Sequence, residues 1–235
     1  MVAYLAIEPT QNWLLLLLSG LAALATDSVV RSHPKANFTG IDDTALYLFV
    51  PVLFTLGLGI FLEEVIGGYE TVGIGLLSVF PFWAILRAEY ESIDRASPNF
   101  QSTRLVLNVA TYVVAFLFFA TIYDFELDLA TASFAAGIVS VLLAIEVLRE
   151  EELDTTRTML YALAIGGLLG EAAWITHFLP IDGSGAAVFL LLAFYLMTGL
   201  MHNYLGDKLT RKTATEFTSV AALGILIVAL SHVTN

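Results

Sequence analysis

The chain has 235 residues, of which 58% are apolar and only 14% charged, with a mean hydropathy of +0.82. A soluble domain of this length would be nearer half apolar and a quarter charged, so the composition excludes an ordinary globular domain and points to a polytopic membrane protein. The net charge of −12 and pI near 4.5 argue against nucleic acid or an anionic lipid surface as partner, and the absence of Cys excludes disulfides, thiolate nucleophiles and Cys-ligated metals.

Eight apolar blocks follow in chain order, near 13–30, 45–62, 71–87, 105–123, 129–148, 158–179, 185–205 and 214–232. Each is about the ~20 residues a helix needs to cross a bilayer. Their hydrophobicity is continuous rather than alternating, which argues against a β-barrel. The expected fold is all-α: one transmembrane domain over 1–235, an integral bundle of eight helices. The first block ends on Asp27 and, four residues on, Arg31. Its Ala23-Leu24-Ala25 would suit a cleavage site, but no basic residue precedes the apolar run, so it is expected to be a retained span. Pro51 in the second block and Pro81 in the third should kink or locally loosen their helices.

In the fourth block Asn108, Thr111 and Tyr112 enrich the half nearer Arg104, and Phe116, Phe118 and Phe119 supply packing or lipid-facing bulk. The fifth block ends on Glu146, three residues before Arg149. The sixth carries Glu171 near its middle, with Gly167, Ala164 and Trp174 on the same face and Gly166 and Gly170 as a small-xxx-small pair beside it. An acid at such depth costs roughly 2.5–3.5 kcal/mol, so Glu171 is expected to face the bundle interior, protonated or hydrogen-bonded. Two readings stand: a proton- or cation-coupling carboxylate or ligand anchor backed by Trp174, or interhelical glue. His177 follows at the end of that block.

The seventh block sets Tyr195, Thr198 and His202 on one stripe, and the eighth adds Thr215, Thr218 and Ser219 at similar depth, with His232 at its far end. Together with Asn108 and Asp27 these groups would line a cavity open to one side, or simply hydrogen-bond between helices.

All ten basic residues fall in or beside alternate connections: Arg31 and Lys35; Arg87, Arg95 and Arg104; Arg149 and Arg157; Lys208, Arg211 and Lys212. By the positive-inside rule the connections 31–43, 87–104, 149–157 and 206–213 are cytoplasmic, both termini are external, and the protein belongs in the plasma membrane. The Asn37-Phe38-Thr39 sequon then lies on the wrong side for glycosylation. The outer connections carry Glu8, Glu63, Glu64, Glu70, Asp124, Glu126, Asp128 and Asp182 without a basic residue, so the acidity is largely an external field that favours cations. Thr44-Ala45-Leu46-Tyr47 opening the second block echoes Thr158-Met159-Leu160-Tyr161 opening the sixth, and Asp27–Arg31 echoes Glu146–Arg149, the pattern of a 4+4 parallel repeat.

Catalytic templates are not met. There is no His-Glu-x-x-His, no phosphate loop and no nucleophile elbow around Ser184. Tyr204-Leu205-Gly206-Asp207 approaches the Gly-x-Gly-Asp of intramembrane aspartyl proteases, with Asp27 as a second acid, but Tyr204 stands where that pattern needs Gly. His177, His232 and the outer acids have no metal-ligand spacing. The expectation is a non-enzymatic translocator of a small solute or cation built on Glu171 with Trp174, Tyr195, Thr198, His202, Asn108 and Asp27 as further candidates. It has no cofactor, no metal and no catalytic residue, and its partners are the bilayer and a small cation or solute. The competing expectation is an accessory subunit of a membrane complex or a homo-oligomer. An intramembrane enzyme using Asp27 with Asp207, or Glu171 with His177, is the third.

Overall fold

The computed structural model describes residues 1, 4–5, 12–40, 42–68, 70–125, 127–149, 155–179 and 181–234, with the side chains of 42, 155, 225 and 227–234 outside the description. Glu8 and Glu126 lie outside the described residues, as does the side chain of His232. Among the described residues all regular structure is helical. The elements are α1 (Asn12–Arg31), α2 (Asp42–Phe61) with a π-helical turn Leu62–Ile66, α3 (Glu70–Leu77), α4 (Val79–Glu91), α5 (Phe100–Asp124), α6 (Leu129–Leu148), α7 (Thr155–Thr176), α8 (Gly183–Leu205) and α9 (Arg211–Thr234).

Among the described residues seven stretches are long and apolar enough to cross a membrane: α1, α2 with its π turn, α3 with α4, and α5 to α8. The eighth apolar block coincides with α9, a helix of 24 residues whose outer side chains lie beyond the description. The third block is broken at Ser78, where α3 gives way to α4. Pro81 explains the position, since its ring lacks an N–H and crowds the carbonyl four residues earlier, that of Leu77, where α3 stops. Pro51, by contrast, sits within an unbroken α2.

Turn chemistry sets the other ends. Gly67 and Gly68 take φ of 63° and 72°, the left-handed region that favours Gly, and so end the π turn. Asp128 caps α6 by accepting from the Thr131 N–H (3.1 Å) and hydroxyl (2.7 Å), and Asp182 caps α8 by accepting from the Gly185 N–H (3.1 Å). The Thr131 hydroxyl and backbone N–H hold the Asp128 carboxyl below its ordinary value.

Within the spans, hydroxyl side chains turn back on their own helix. Ser19, Thr26, Thr55, Thr111, Ser140 and Thr198 each donate to the carbonyl four residues earlier at 2.6–2.9 Å. A polar group in hydrocarbon thereby satisfies itself without a neighbour.

The helices cluster into two compact units, Met1–Val114 and Ala115–Asn235. In the first, α1 packs on α2 and both meet α4, with Phe54 of α2 stacked on Phe82 of α4 at 6.5 Å. The connections 32–41 and 92–99 meet at one end, where Lys35 pairs with Asp94 at 2.6 Å and the His33 ring lies edge-on to Tyr90 at 4.6 Å. Two connections of like parity at one end is what alternate crossing of the bilayer requires. The Lys35 hydrogen bond holds the Asp94 carboxyl below its usual range. In the second unit α6 packs most intimately on α7, α8 packs on α7 and α9, and Phe119 is buried edge-on against Phe194 at 6.4 Å. The Tyr123 hydroxyl donates to the Ala173 carbonyl at 3.1 Å, tying the C-terminal ends of α5 and α7 together. Large apolar side chains such as Leu16, Leu24, Phe80, Leu105, Phe134 and Phe178 remain exposed, the surface a lipid-embedded protein presents.

Candidate functional site

A concavity in the second unit lies along α6 and α7 and measures about 760 Å³. Its shape starts from backbone contact. A Cβ at Gly137 of α6 would stand 3.1 Å from the Gly166 carbonyl oxygen, one at Gly166 only 2.7 Å from that of Gly137, and one at Gly170 3.2 Å from that of Ser133. No side chain fits between the two helices at these points, so the backbones touch, as small-residue membrane interfaces allow. Gly167 lies one step round α7 on the open side, with nothing within 4 Å of where its Cβ would be. Beside this close contact the bare backbone at Gly167 leaves a trough walled by Phe134, Ile138, Val141, Leu163 and Ile175.

Three polar groups enter this apolar trough. Glu171 lines it and is exposed, and no hydrogen bond or ion pair reaches its carboxyl group among the described residues. It stands five residues before the C-terminal end of α7, roughly 7.5 Å along the axis. Trp174, 46% exposed, lines the same trough one turn further on. Ser133 on α6 is only 8% exposed, and its buried hydroxyl has no hydrogen-bond partner among the described residues, in contrast to the back-bonded hydroxyls elsewhere.

The sequence grouping of Glu171, Gly167, Ala164 and Trp174 on one face holds, since all four are exposed on α7. The expectation that this face turns into the bundle does not: the neighbouring stripe of Ala162, Ile165, Leu169 and Ala173 is the buried one, because Gly166 and Gly170 draw that side onto α6. Ser133 was not singled out by sequence reasoning. A signal was present, for Ser133 and Gly137 repeat the four-residue small spacing of Gly166 and Gly170 on the adjacent span.

The other expected residues are placed differently. Asp27 is committed to α1–α2 closure: Arg31 Nε donates to it at 2.8 Å, the Thr44 hydroxyl donates to it at 2.5 Å, and the Arg31 fork reaches the Gly40 carbonyl at 2.7 Å. Asn108 is half-buried on α5, its side-chain oxygen buried without a partner among the described residues. On α8, Thr198 is fully buried and donates to the Phe194 carbonyl at 2.6 Å, Tyr195 lies 5.2 Å from the Phe217 ring, and His202 is half-buried. Asp27 and Asn108 belong to the first unit and the α8 residues to the second. Asp207 occupies the turn after α8 with φ of 54°.

His177 is exposed beside Phe178 and borders a smaller cavity of about 260 Å³ with Tyr123, Thr176 and Gly183. No group of three or more His, Asp or Glu among the described residues has the arrangement of a metal site. Buried charges were not anticipated as such: Glu89 and Glu146 are fully buried and Arg104 nearly so, and Glu146 pairs with Arg149 at 2.7 Å.

No curated protein and no solved structure matches the chain significantly. A family model described as Protein of unknown function (DUF5656) matches residues 3–231, and the chain therefore belongs to that family.

Proposed function

We propose that the chain is a non-enzymatic translocator of a proton or small cationic solute in the plasma membrane, with Glu171 as its coupling carboxylate. The observation that carries this reading is a carboxyl group within a membrane-crossing helix, unpartnered among the described residues and set in a trough of about 760 Å³. An acid in that position exchanges a proton for a cation at little cost, because either event neutralises it. The acidic outer connections would raise the local cation concentration.

The rest of the proposal concerns arrangement. Eight spans, with α9 as the eighth, put both termini outside and the connections 31–43, 87–104, 149–157 and 206–213 in the cytoplasm. The contact of the 32–41 and 92–99 connections is consistent with this. A 4+4 parallel repeat is supported by the acid–arginine pairs at the ends of α1 and α6, Asp27–Arg31 at 2.8 Å and Glu146–Arg149 at 2.7 Å.

A second reading, an accessory subunit, is favoured by one observation: the exposed side of α7 combines Leu160, Leu163, Leu168 and Ile175 with an acid that a partner helix would satisfy. Purified protein in proteoliposomes loaded with a pH-sensitive dye separates the two. The translocator moves protons or exchanges them for cations, and Glu171→Gln abolishes the flux. Flux in Glu171→Gln equal to wild type overturns the assignment of Glu171, and no flux in wild type favours the accessory subunit.

A further inference from the structure

We infer that the α6–α7 trough is a binding site for a lipophilic monovalent organic amine that enters from the bilayer, with Glu171 as its counter-ion. This rests on the reading of Glu171 as the coupling carboxylate and narrows that reading to a substrate class. Four observations point the same way.

The first is charge. A carboxylate is acceptor-only and, in an apolar trough, selects for a cation and against an anion or a neutral solute. One carboxylate balances one positive charge. A divalent metal would require about six oxygen ligands, which a trough with one acid and one hydroxyl does not offer.

The second is size and lining. About 760 Å³ is some twenty-five times the ~30 Å³ share of one water molecule and lies within the usual range of small-molecule sites. Phe134, Ile138, Val141, Leu163 and Ile175 make its walls apolar. A bare or hydrated inorganic ion would leave most of that surface unused, whereas an alkyl or aryl body fills it.

The third is a set of groups suited to an ammonium head. Trp174 presents an indole one turn from Glu171, the arrangement in which a cation gains both an ion pair and the face of an aromatic ring. Across the trough the buried Ser133 hydroxyl has no partner among the described residues. That hydroxyl is buried and does not close onto its own helix as Ser140 does at 2.7 Å, so a rotation of its side chain would offer it to an ammonium N–H.

The fourth is access. The trough opens on the side of α7 that carries exposed Leu163, Leu168, Trp174 and Ile175, a surface for lipid rather than water. A ligand that partitions into the membrane reaches it laterally, with no aqueous channel required.

The test uses the full chain in phosphatidylcholine nanodiscs and two radiolabelled probes of similar shape, N-hexylbenzylamine and the uncharged N-hexylbenzamide. Wild type should bind the amine saturably at one per chain, and the amide at least tenfold more weakly. Glu171→Gln should lose at least tenfold in amine affinity while leaving the amide unchanged, which also reports that the variant is folded. Gly167→Leu points a side chain into open space, so it should occupy the part of the trough beside Glu171 and weaken amine binding at least tenfold without loss of thermal stability. Ser133→Ala should weaken the amine a few-fold and the amide not at all. Non-saturable amine uptake by wild type, an unchanged affinity in Glu171→Gln, or wild-type binding by Gly167→Leu each overturns the proposal. Failure here is distinct from failure of the translocator reading. Glu171-dependent proton flux without amine binding removes the substrate class alone, while Glu171-dependent amine binding without flux upholds the site and removes translocation.

Discussion

Hydroxyl groups divide into two kinds in this protein, and the division predicts which substitutions matter. Thr111 is fully buried and donates only to its own helix, at the Leu107 carbonyl, which already accepts the helical N–H. Thr44 is equally buried but bridges elements: it donates to Asp27 and accepts from Arg31 at 3.2 Å, closing the connection between α1 and α2. Thr44→Val therefore leaves charged groups short of a partner and should cost about 1–2 kcal/mol, whereas Thr111→Val should change stability by less than about 0.5 kcal/mol. Denaturation in mixed micelles compares them; equal effects would show that the Asp27–Arg31–Thr44 cluster does not stabilise the fold. The four-residue spacing of Asp27 and Arg31 admits their pairing, because a helix places such residues side by side, although the sequence set Asp27 among the groups expected to line a cavity or hydrogen-bond between helices. The unsatisfied Ser133 hydroxyl was not legible, since nothing in the sequence distinguishes a hydroxyl that turns back from one that does not.

At the scale of the element, hydropathy located, among the described residues, seven helices long and apolar enough to cross a membrane to within a few residues at most ends, and Pro81 marked the break at Ser78, because both depend on chain-local physics. Facing is another matter. A span that is apolar all round has little asymmetry from which to tell the side that meets protein from the side that meets lipid. Glu171 was therefore grouped correctly with Trp174 and oriented wrongly, and the tertiary contact that decides the orientation is the backbone approach of Gly137 to Gly166 and Gly170. Adjacent glycines should respond in opposite ways. A Cβ at Gly166 would collide with the Val141 side chain and lie 2.7 Å from the Gly137 carbonyl oxygen, so Gly166→Val should cost about 1–3 kcal/mol by forcing α6 and α7 apart. Gly167→Leu meets nothing and should be neutral or slightly stabilising, as loss of a helix-interior Gly usually is. Thermal unfolding of the pair checks the contrast, and equal losses would contradict the direct α6–α7 backbone contact.

For the whole molecule, the distribution of charge is the most informative property read from the sequence. The net −12 resolves, under the proposed orientation, into an outer face with eight acids and no basic residue, an inner face where ten basic residues offset thirteen acids, and Glu171 between them. The absence of native Cys makes that orientation simple to test. A single Cys at Asn37 should be protected from a membrane-impermeant maleimide added to intact cells, and one at Asp124 should be labelled. The reverse pattern would invert the topology. The proposed acidic exterior, the trough and an acid within α7 that is unpartnered among the described residues converge on one residue, and the most direct test is proton flux in proteoliposomes containing wild type, Glu171→Asp or Glu171→Gln. The account predicts flux in wild type, reduced flux in Glu171→Asp because the shorter side chain keeps a carboxyl group, and none in Glu171→Gln. Flux in Glu171→Gln indistinguishable from wild type would contradict it.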